Sequence, residues 1–245
     1  MRVLDVDLDF FLSKRRTWTQ ETSRPNAQEF VPWKPALVRE FFEKQCGLRQ
    51  RDPLPATLVT THDQVYDAWV DQVHHGTLRA PFEVVHVDAH ADLGMGDASH
   101  VYILGELLHL PVSQRMNPER GGHAGLGEGN YLAFAIACRF LSSLTYVHPL
   151  GMANDLPHLL YREHRTDTDT IELACYEAET AGRLSMIRAP VPLRVEPPVP
   201  VAVVPVDEYR NHAPFDYAYL SISPRYTPVE AEELVPVIGD YLRFA

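Results

Sequence analysis

Three short segments of the chain concentrate side chains that bind or activate cations. Asp5, Asp7 and Asp9 alternate in LDVDLDFF, His62 directly follows ATLVTT, and His86, Asp88, His90 and Asp92 alternate in VVHVDAHADLG. In extended chain, residues two apart face the same way, so Asp88, His90 and Asp92 can converge as a strand ends, and so can Asp7 and Asp9. Taken singly, an aspartate at a strand end is usually a turn former or cap, and a lone histidine a satisfied polar group. Together they resist that explanation. Four carboxylates meeting on buried strand ends repel one another and lose their hydration, a cost that cations remove.

The donors are carboxylate oxygens and imidazoles, with no thiolate among them. That set suits Mn²⁺ and similar octahedral-tolerant ions better than a structural zinc site. Asp7, Asp9, Asp88 and Asp92 match in charge two Mn²⁺ ions, with two carboxylates bridging and two imidazoles capping the ends. A two-metal site of this kind holds and activates a water as nucleophile. His86 fits a supporting role rather than that of a ligand. Moving the register by two would make Asp5 and Asp7 the ligands. Asp7 and Asp9 are preferred because they lie further towards the carboxyl end and leave a longer strand before them.

Strand-like and helix-like segments alternate around these residues. Strands are expected at 2–9, 56–61, 82–88, 144–147, 171–176, 184–187, 201–206 and 217–222. Helical patterns fall at 63–73, with Val65, Trp69, Val70 and Val73 on one side, and at 100–110, 130–141 and 229–242. Such interleaving predicts an α/β fold, three-layer α/β/α, with a largely parallel sheet of roughly eight strands. Open parallel sheets place their sites at the carboxyl ends of strands, where these ligand-type residues fall. Residues 14–35 are polar and proline-interrupted, with Trp18, Phe30 and Trp33, and read as a long ordered loop. Residues 190–205 carry six prolines and cannot be a central strand throughout. With no repeat, low-complexity tail or clear linker, residues 1–245 read as one domain.

Composition narrows the function classes. The 245 residues are 45% hydrophobic and 22% charged, which excludes wholesale disorder. Lys plus Arg number 22 against 33 Asp plus Glu, a net charge of -11. That balance is a poor partner for nucleic acid or anionic membranes and suits a cationic ligand. Cys46, Cys138 and Cys175 are widely spaced with no CxxC, so neither a disulfide framework nor a thiolate zinc site is expected. The aspartates of the first nine residues do not fit a secretory leader, and the apolar stretch 131–141 is too short to span a bilayer. A cytoplasmic location is the expectation.

VDAHAD resembles the DAHxD signature of the arginase (ureohydrolase) superfamily, LDVDLDFF resembles its SxDxD signature, and TTHDQ supplies the remaining histidine. The combination of DLDFF, DAHAD, EGNYLAFAI and a late SISPRYTP is similar to the peptide arginases, which convert arginine side chains within peptides to ornithine. The resemblance implies an arginase-like sheet and two Mn²⁺ ions. His62 and Asp92 would hold one ion and His90 the other, Asp88 and one of Asp7 and Asp9 would bridge, and the second aspartate would complete the site. Two features depart from the pattern: the aspartate pair opens the chain instead of following DAHxD, and Asp5 stands where the serine of SxDxD would be.

On the substrate side, an arginase needs an acid to pair with guanidinium and a group to protonate the departing amine. Glu128 and Asn130 lie where the superfamily places substrate contacts, although Glu128 is equally well explained as a first-turn carboxylate favoured by the helix dipole. Glu29 is a competitor. The shuttle histidine of the superfamily is replaced by Ala133, which leaves His123 of RGGHAGLG as the candidate, a solvated loop histidine being its plainer reading. The ligand motifs do not separate free arginine, agmatine and peptidyl arginine; the resemblance favours an arginine-containing precursor peptide. The aromatic loop from Trp18 to Trp33 and the stretch 197–205 are candidates for an outer groove. Two rival readings stay open: a haloacid-dehalogenase-like phosphatase using Mg²⁺ with Asp5 and Asp7, and a non-catalytic protein that binds a cation or a basic peptide.

Overall fold

The structure is a computed structural model that describes residues 1–17, 22–151, 155–165 and 167–244. Its strands are β1 (Arg2–Asp7), β2 (Leu54–Val59), β3 (Phe82–Val87), β4 (Leu141–His148), β5 (Thr170–Ile171), β6 (Ala174–Cys175), β7 (Arg194–Val195), β8 (Val199–Pro205), β9 (Tyr217–Ser221) and β10 (Leu242–Phe244). Eight of them form one sheet in the order β10-β2-β9-β1-β3-β4-β8-β5, and β6 pairs with β7 separately. Every pairing in the large sheet is parallel except that of the short β5 with β8. This is an α/β fold with a mostly parallel eight-stranded sheet.

Burial on both faces explains the near-continuous apolar strands. Val3, Phe82 and Val84 join one core cluster, while their neighbours Leu4, Val6, Val85 and Val87 join the other. The first cluster packs against helices α2 (Gln64–His74) and α4 (Tyr131–Ala137), through Val65, Tyr66 and Trp69 and an entirely buried α4. The second packs against α1 (Pro35–Glu40) and the closing α6 (Leu234–Gly239), with Phe10, Phe11 and Phe41 in ring-to-ring contact. Such two-sided covering is what a three-layer α/β/α arrangement requires. The remaining helices are α3 (Ser99–Gly105) and α5 (Ala178–Ala181).

Several elements differ from expectation. The apolar run at 184–187 is no strand: it is a single 3-10 turn, Leu184–Met186, with Met186 left in solvent. The segment 171–176 divides into β5 and β6. The closing helix stops at Gly239, and the chain then adds β10 beside β2, an edge strand of three residues too short for a local pattern to reveal. β8 accommodates Pro200 because its pairing with β4 starts only at Val201, and Pro205 because it ends the strand. Among the described residues, no helix is long and apolar enough to cross a membrane.

The chain leaves β1 for β2 on one side and then crosses to β3 on the other. The crevice above these strand ends is the switch point at which open α/β sheets bind ligands.

Candidate metal centre

The centre is built in two layers. The lower layer is a row across four strands, because Tyr219, Asp5, His86 and Tyr146 are register partners on β9, β1, β3 and β4. Asp5 is wholly buried and accepts hydrogen bonds from His62 Nε2 (3.1 Å), His86 Nδ1 (3.1 Å) and the Tyr131 hydroxyl. Burial alone would push its carboxyl up, but the two imidazoles outweigh burial and hold Asp5 well below the usual carboxylate range. His86 also donates from Nε2 to the His90 carbonyl (3.0 Å), so both its nitrogens are occupied.

The upper layer begins where β1 ends. Asp7 caps the 3-10 turn Leu8–Phe11 by accepting from the Asp9 backbone N–H (2.9 Å), and its second oxygen accepts from the Ser223 hydroxyl. This turn carries Asp9 round to the side of Asp88. In the loop after β3, Asp88 accepts from the His90 N–H (2.8 Å), and Asp92 adopts a left-handed φ of 49°. Ser223, with a φ of 46°, holds the facing loop after β9. Two non-glycine residues in this sparsely populated region, one on each side of a cleft, are held there by their surroundings and not by preference.

His62 presents Nδ1 to this layer, 3.1 Å from Asp7 Oδ2, 3.0 Å from Asp88 Oδ2 and 2.9 Å from Asp92 Oδ2. It is aligned for a hydrogen bond with none of them, although it is buried. His90 donates from Nε2 to the Arg16 carbonyl (2.8 Å), a group that can only accept, so Nδ1 bears the lone pair in the neutral ring. That atom is 3.0 Å from Asp9 Oδ2 and 3.7 Å from Asp88 Oδ1. The two oxygens of Asp88 therefore turn towards different imidazoles.

Charge crowding is the other signature. Burial and the neighbouring Asp88 push Asp92 up to about 7, and burial with Asp88 and Asp7 pushes Asp9 well above the usual range. For His62 and His90 burial opposes charge, yet the surrounding acids hold both rings well above theirs. An orphaned imidazole nitrogen among carboxylates that cannot all ionise comfortably is a donor set shaped for cations. Among the described residues, close donor atoms form four groups: Asp7, His62 and Asp88; Asp9, Asp88 and His90; His86, Asp88 and Asp92; and, in the lower layer, Asp5, His62 and His86. These buried clusters could hold metal ions, and the donors fit a hard or borderline divalent cation.

Asp7, Asp9, His62, Asp88, His90 and Asp92 all line one cleft of about 210 Å³. Glu128 lines it too, with Oε2 buried and without a hydrogen-bond partner, and burial raises its carboxyl while Arg225 opposes the shift. Asn130 does not reach the cleft. It lines an adjoining cavity, and its amide is spent inside the loop, donating to Asp97 (2.9 Å) and the Gly125 carbonyl (3.0 Å) and accepting from the Gly127 N–H (2.8 Å), so it positions the loop. His123 is exposed and lines an adjoining cavity, not the cleft. Glu29 pairs with Lys14 at the surface.

Of the outer-groove candidates, Trp33 packs on Phe10 and Phe11, Phe30 is buried, and Val199–Pro205 forms β8, no residue of which lines the cleft. Trp18 lies outside the described residues. Arg15 and Asp155 at the rim were not legible in the sequence, since neither belongs to a spaced motif. Asp155 holds the Ala91 N–H (2.9 Å) and lies 3.4 Å from Arg15. Ser223 carried a faint signal, a serine directly after a strand in SISPRYTP.

Comparison of the chain with protein-family models, with curated proteins and with solved structures gave no match.

Proposed function

We propose that the protein is a manganese-dependent hydrolase that converts arginine side chains of a peptide to ornithine, releasing urea. The observation that carries this reading is the disposition of Asp88 between two imidazoles. His62 and His90 each commit Nε2 to an acceptor behind them and turn Nδ1 towards a different oxygen of the same carboxylate. The likeness of VDAHAD, LDVDLDFF and TTHDQ to the ureohydrolase signatures supports it.

His62, Asp7 and Asp92 would hold one ion and His90 with Asp9 the other, with Asp88 shared. Two Mn²⁺ ions bound there would supply an activated water and neutralise four buried carboxylates. The chain's own groups do the rest. Glu128 offers an unpartnered Oε2 that can accept a guanidinium N–H, and a carboxyl raised by burial can hold the proton that the departing amine needs. The small cleft takes a side chain and keeps a peptide backbone outside. In net terms the guanidinium and one water become an ammonium group and urea.

A phosphatase attacking through Asp5 fits poorly, because that carboxylate lies buried beneath His62 with three donors on it. The test is mass analysis of an arginine peptide treated with the Mn²⁺-loaded protein. Each conversion removes CN₂H₂, and an internal arginine should be used at least about tenfold better than free arginine, worth roughly 1.4 kcal/mol of transition-state binding. Metal uptake without any conversion would favour the non-catalytic cation-binding reading. Free arginine as the equal or better substrate would remove the peptide from the assignment.

A further inference from the structure

Few side chains along the cleft wall keep a polar group to spare. Ser223 is engaged by Asp7 and by Ser221 (2.8 Å), and Asp155 by the Ala91 N–H (2.9 Å) with Arg15 at 3.4 Å. Glu128 and Tyr226 differ. Oε2 of Glu128 is buried without a partner, and no group among the described residues hydrogen-bonds to the Tyr226 hydroxyl. Tyr226 lines the cleft and is only 8% exposed, and a tyrosine so buried ordinarily finds a partner for its hydroxyl. Phenylalanine would fill the same space, so the fold alone gives that hydroxyl no use. The backbone fixes it firmly all the same. The Tyr226 N–H donates to the Ser223 carbonyl (2.8 Å), as does that of Thr227 (3.0 Å), and the Thr227 hydroxyl donates to the Ile222 carbonyl (2.7 Å). Ser223, which opens this turn, is the residue held at a left-handed φ of 46°. The ring stands edge-on to His90, with centroids 5.1 Å apart at 61°. Burial pushes the hydroxyl up to about 12, Glu128 adds to the rise and His90 opposes it, so a neutral O–H stands in the field of both.

We propose that Tyr226 is a catalytic residue whose hydroxyl serves the departing side-chain nitrogen of the arginine, a role that rests on the hydrolase reading above. Among the described residues, no histidine but His62 and His90 lines the cleft, so no imidazole is spare for that nitrogen. In the bound guanidinium the nitrogen has an N–H and no lone pair to offer, and the phenol oxygen accepts. Once the oxygen of a water adds to the guanidinium carbon, the π electrons withdraw to the nitrogens and the departing one regains a lone pair. The hydroxyl can then turn and donate, because a phenol does both, whereas an ionised carboxylate only accepts. Cleavage of the carbon–nitrogen bond leaves its electron pair on that nitrogen. It takes the proton that the water lost, held meanwhile on Glu128, and the hydroxyl proton of the adduct completes the ammonium group as urea forms. A contact that gains a second hydrogen-bonding mode only as the bond breaks favours the transition state over the bound substrate.

Tyr226→Phe keeps the ring against His90 and removes the hydroxyl alone. In the Mn²⁺-loaded protein, bound metal and melting temperature should be unchanged. With an arginine peptide, kcat is expected to fall about tenfold or more while KM rises by no more than about fivefold. The second probe is the same peptide carrying the oxyguanidine analogue of arginine, whose departing nitrogen is a far weaker base. There the loss in kcat should shrink to about threefold or less. Equal losses on the two probes, or none on either, would overturn the role and leave the hydrolase standing, since a ring that merely braces His90 affects both alike. Calorimetry with the corresponding ornithine peptide, which bears the departed nitrogen, gives a readout without turnover. The variant should bind it about three- to tenfold more weakly, and equal binding counts against the contact. Weaker binding by the variant, with no conversion of any arginine compound by the unaltered protein, would retain the contact and reject the hydrolase. Neither conversion nor binding by the unaltered protein would remove both.

Discussion

Asp5 accepts from three buried donors on three different elements, and its removal would strand all of them. Asp5→Ala should therefore cost about 3–5 kcal/mol of stability, the range for breaking a buried charged network. The gentler Asp5→Asn should fold, yet bind Mn²⁺ about 10–100-fold more weakly, because a carboxylate behind a ligand imidazole fixes its orientation and basicity. His90→Ala should lose the ion it would share with Asp9, about half of the bound metal, with little loss of stability. Titrating Mn²⁺ into each variant beside a thermal melt checks the pair, and undiminished affinity in Asp5→Asn would show that this carboxylate does not orient His62. The alternating aspartates were plain in the sequence. What separates Asp5 from Asp7 and Asp9 is the change from strand to 3-10 turn at Leu8, together with His86 and Tyr131 pairing from afar. A local pattern of apolar and acidic residues contains neither.

The Gly-rich segment before α4 is pinned by its own backbone hydrogen bonds and by one side-chain amide, that of Asn130. Asn130→Ala would leave the Gly127 N–H and the Gly125 carbonyl without their partner, at a cost of about 1–3 kcal/mol. It should raise KM for an arginine peptide more than it lowers kcat, because it loosens the segment that carries Glu128 and spares the metal donors. A kcat effect alone would place Asn130 against the reacting atoms instead. The same element shows where sequence reading runs out. EGNYLAF announced a helix start, and a helix start it is, but the asparagine side chain turns back into the loop. The central strands were legible from apolar runs because both sheet faces are covered. β10 and the turn at Leu184 were not, since a three-residue edge strand and a solvent-exposed apolar turn carry no period.

Across the molecule, the crowded acids couple protonation to stability. The folded, metal-free protein holds protons on Asp92, Asp9, His62, His86 and His90 at pH values where an unfolded chain has released them, since all five are raised. Stability from these groups is lost as pH rises through their folded values. Asp5 and Asp88 are lowered, so their contribution is present above the ordinary carboxylate range and lost as pH falls below it. Metal-free protein should accordingly melt at a higher temperature near about pH 6 than near about pH 8. Metal needs ionised carboxylates and neutral imidazoles, so binding expels protons and tightens with rising pH. The rise in melting temperature on adding Mn²⁺ should thus be larger at the higher pH. Equal shifts at both values, with no proton release by calorimetry in two buffers, would contradict this coupling.

β1 lies between β9 and β3, so one of its two edges waits for a strand made long after it. Asp7 and the Ser223 that donates to it are 216 residues apart in the chain. A nascent polypeptide that has emerged only as far as β8 holds Asp5 and Asp7 on a strand with one bare edge, beside a cleft still missing a wall. Such long-range parallel pairing forms slowly. The carboxylate cluster is therefore completed only after residues made much later in the chain have docked against those made earlier.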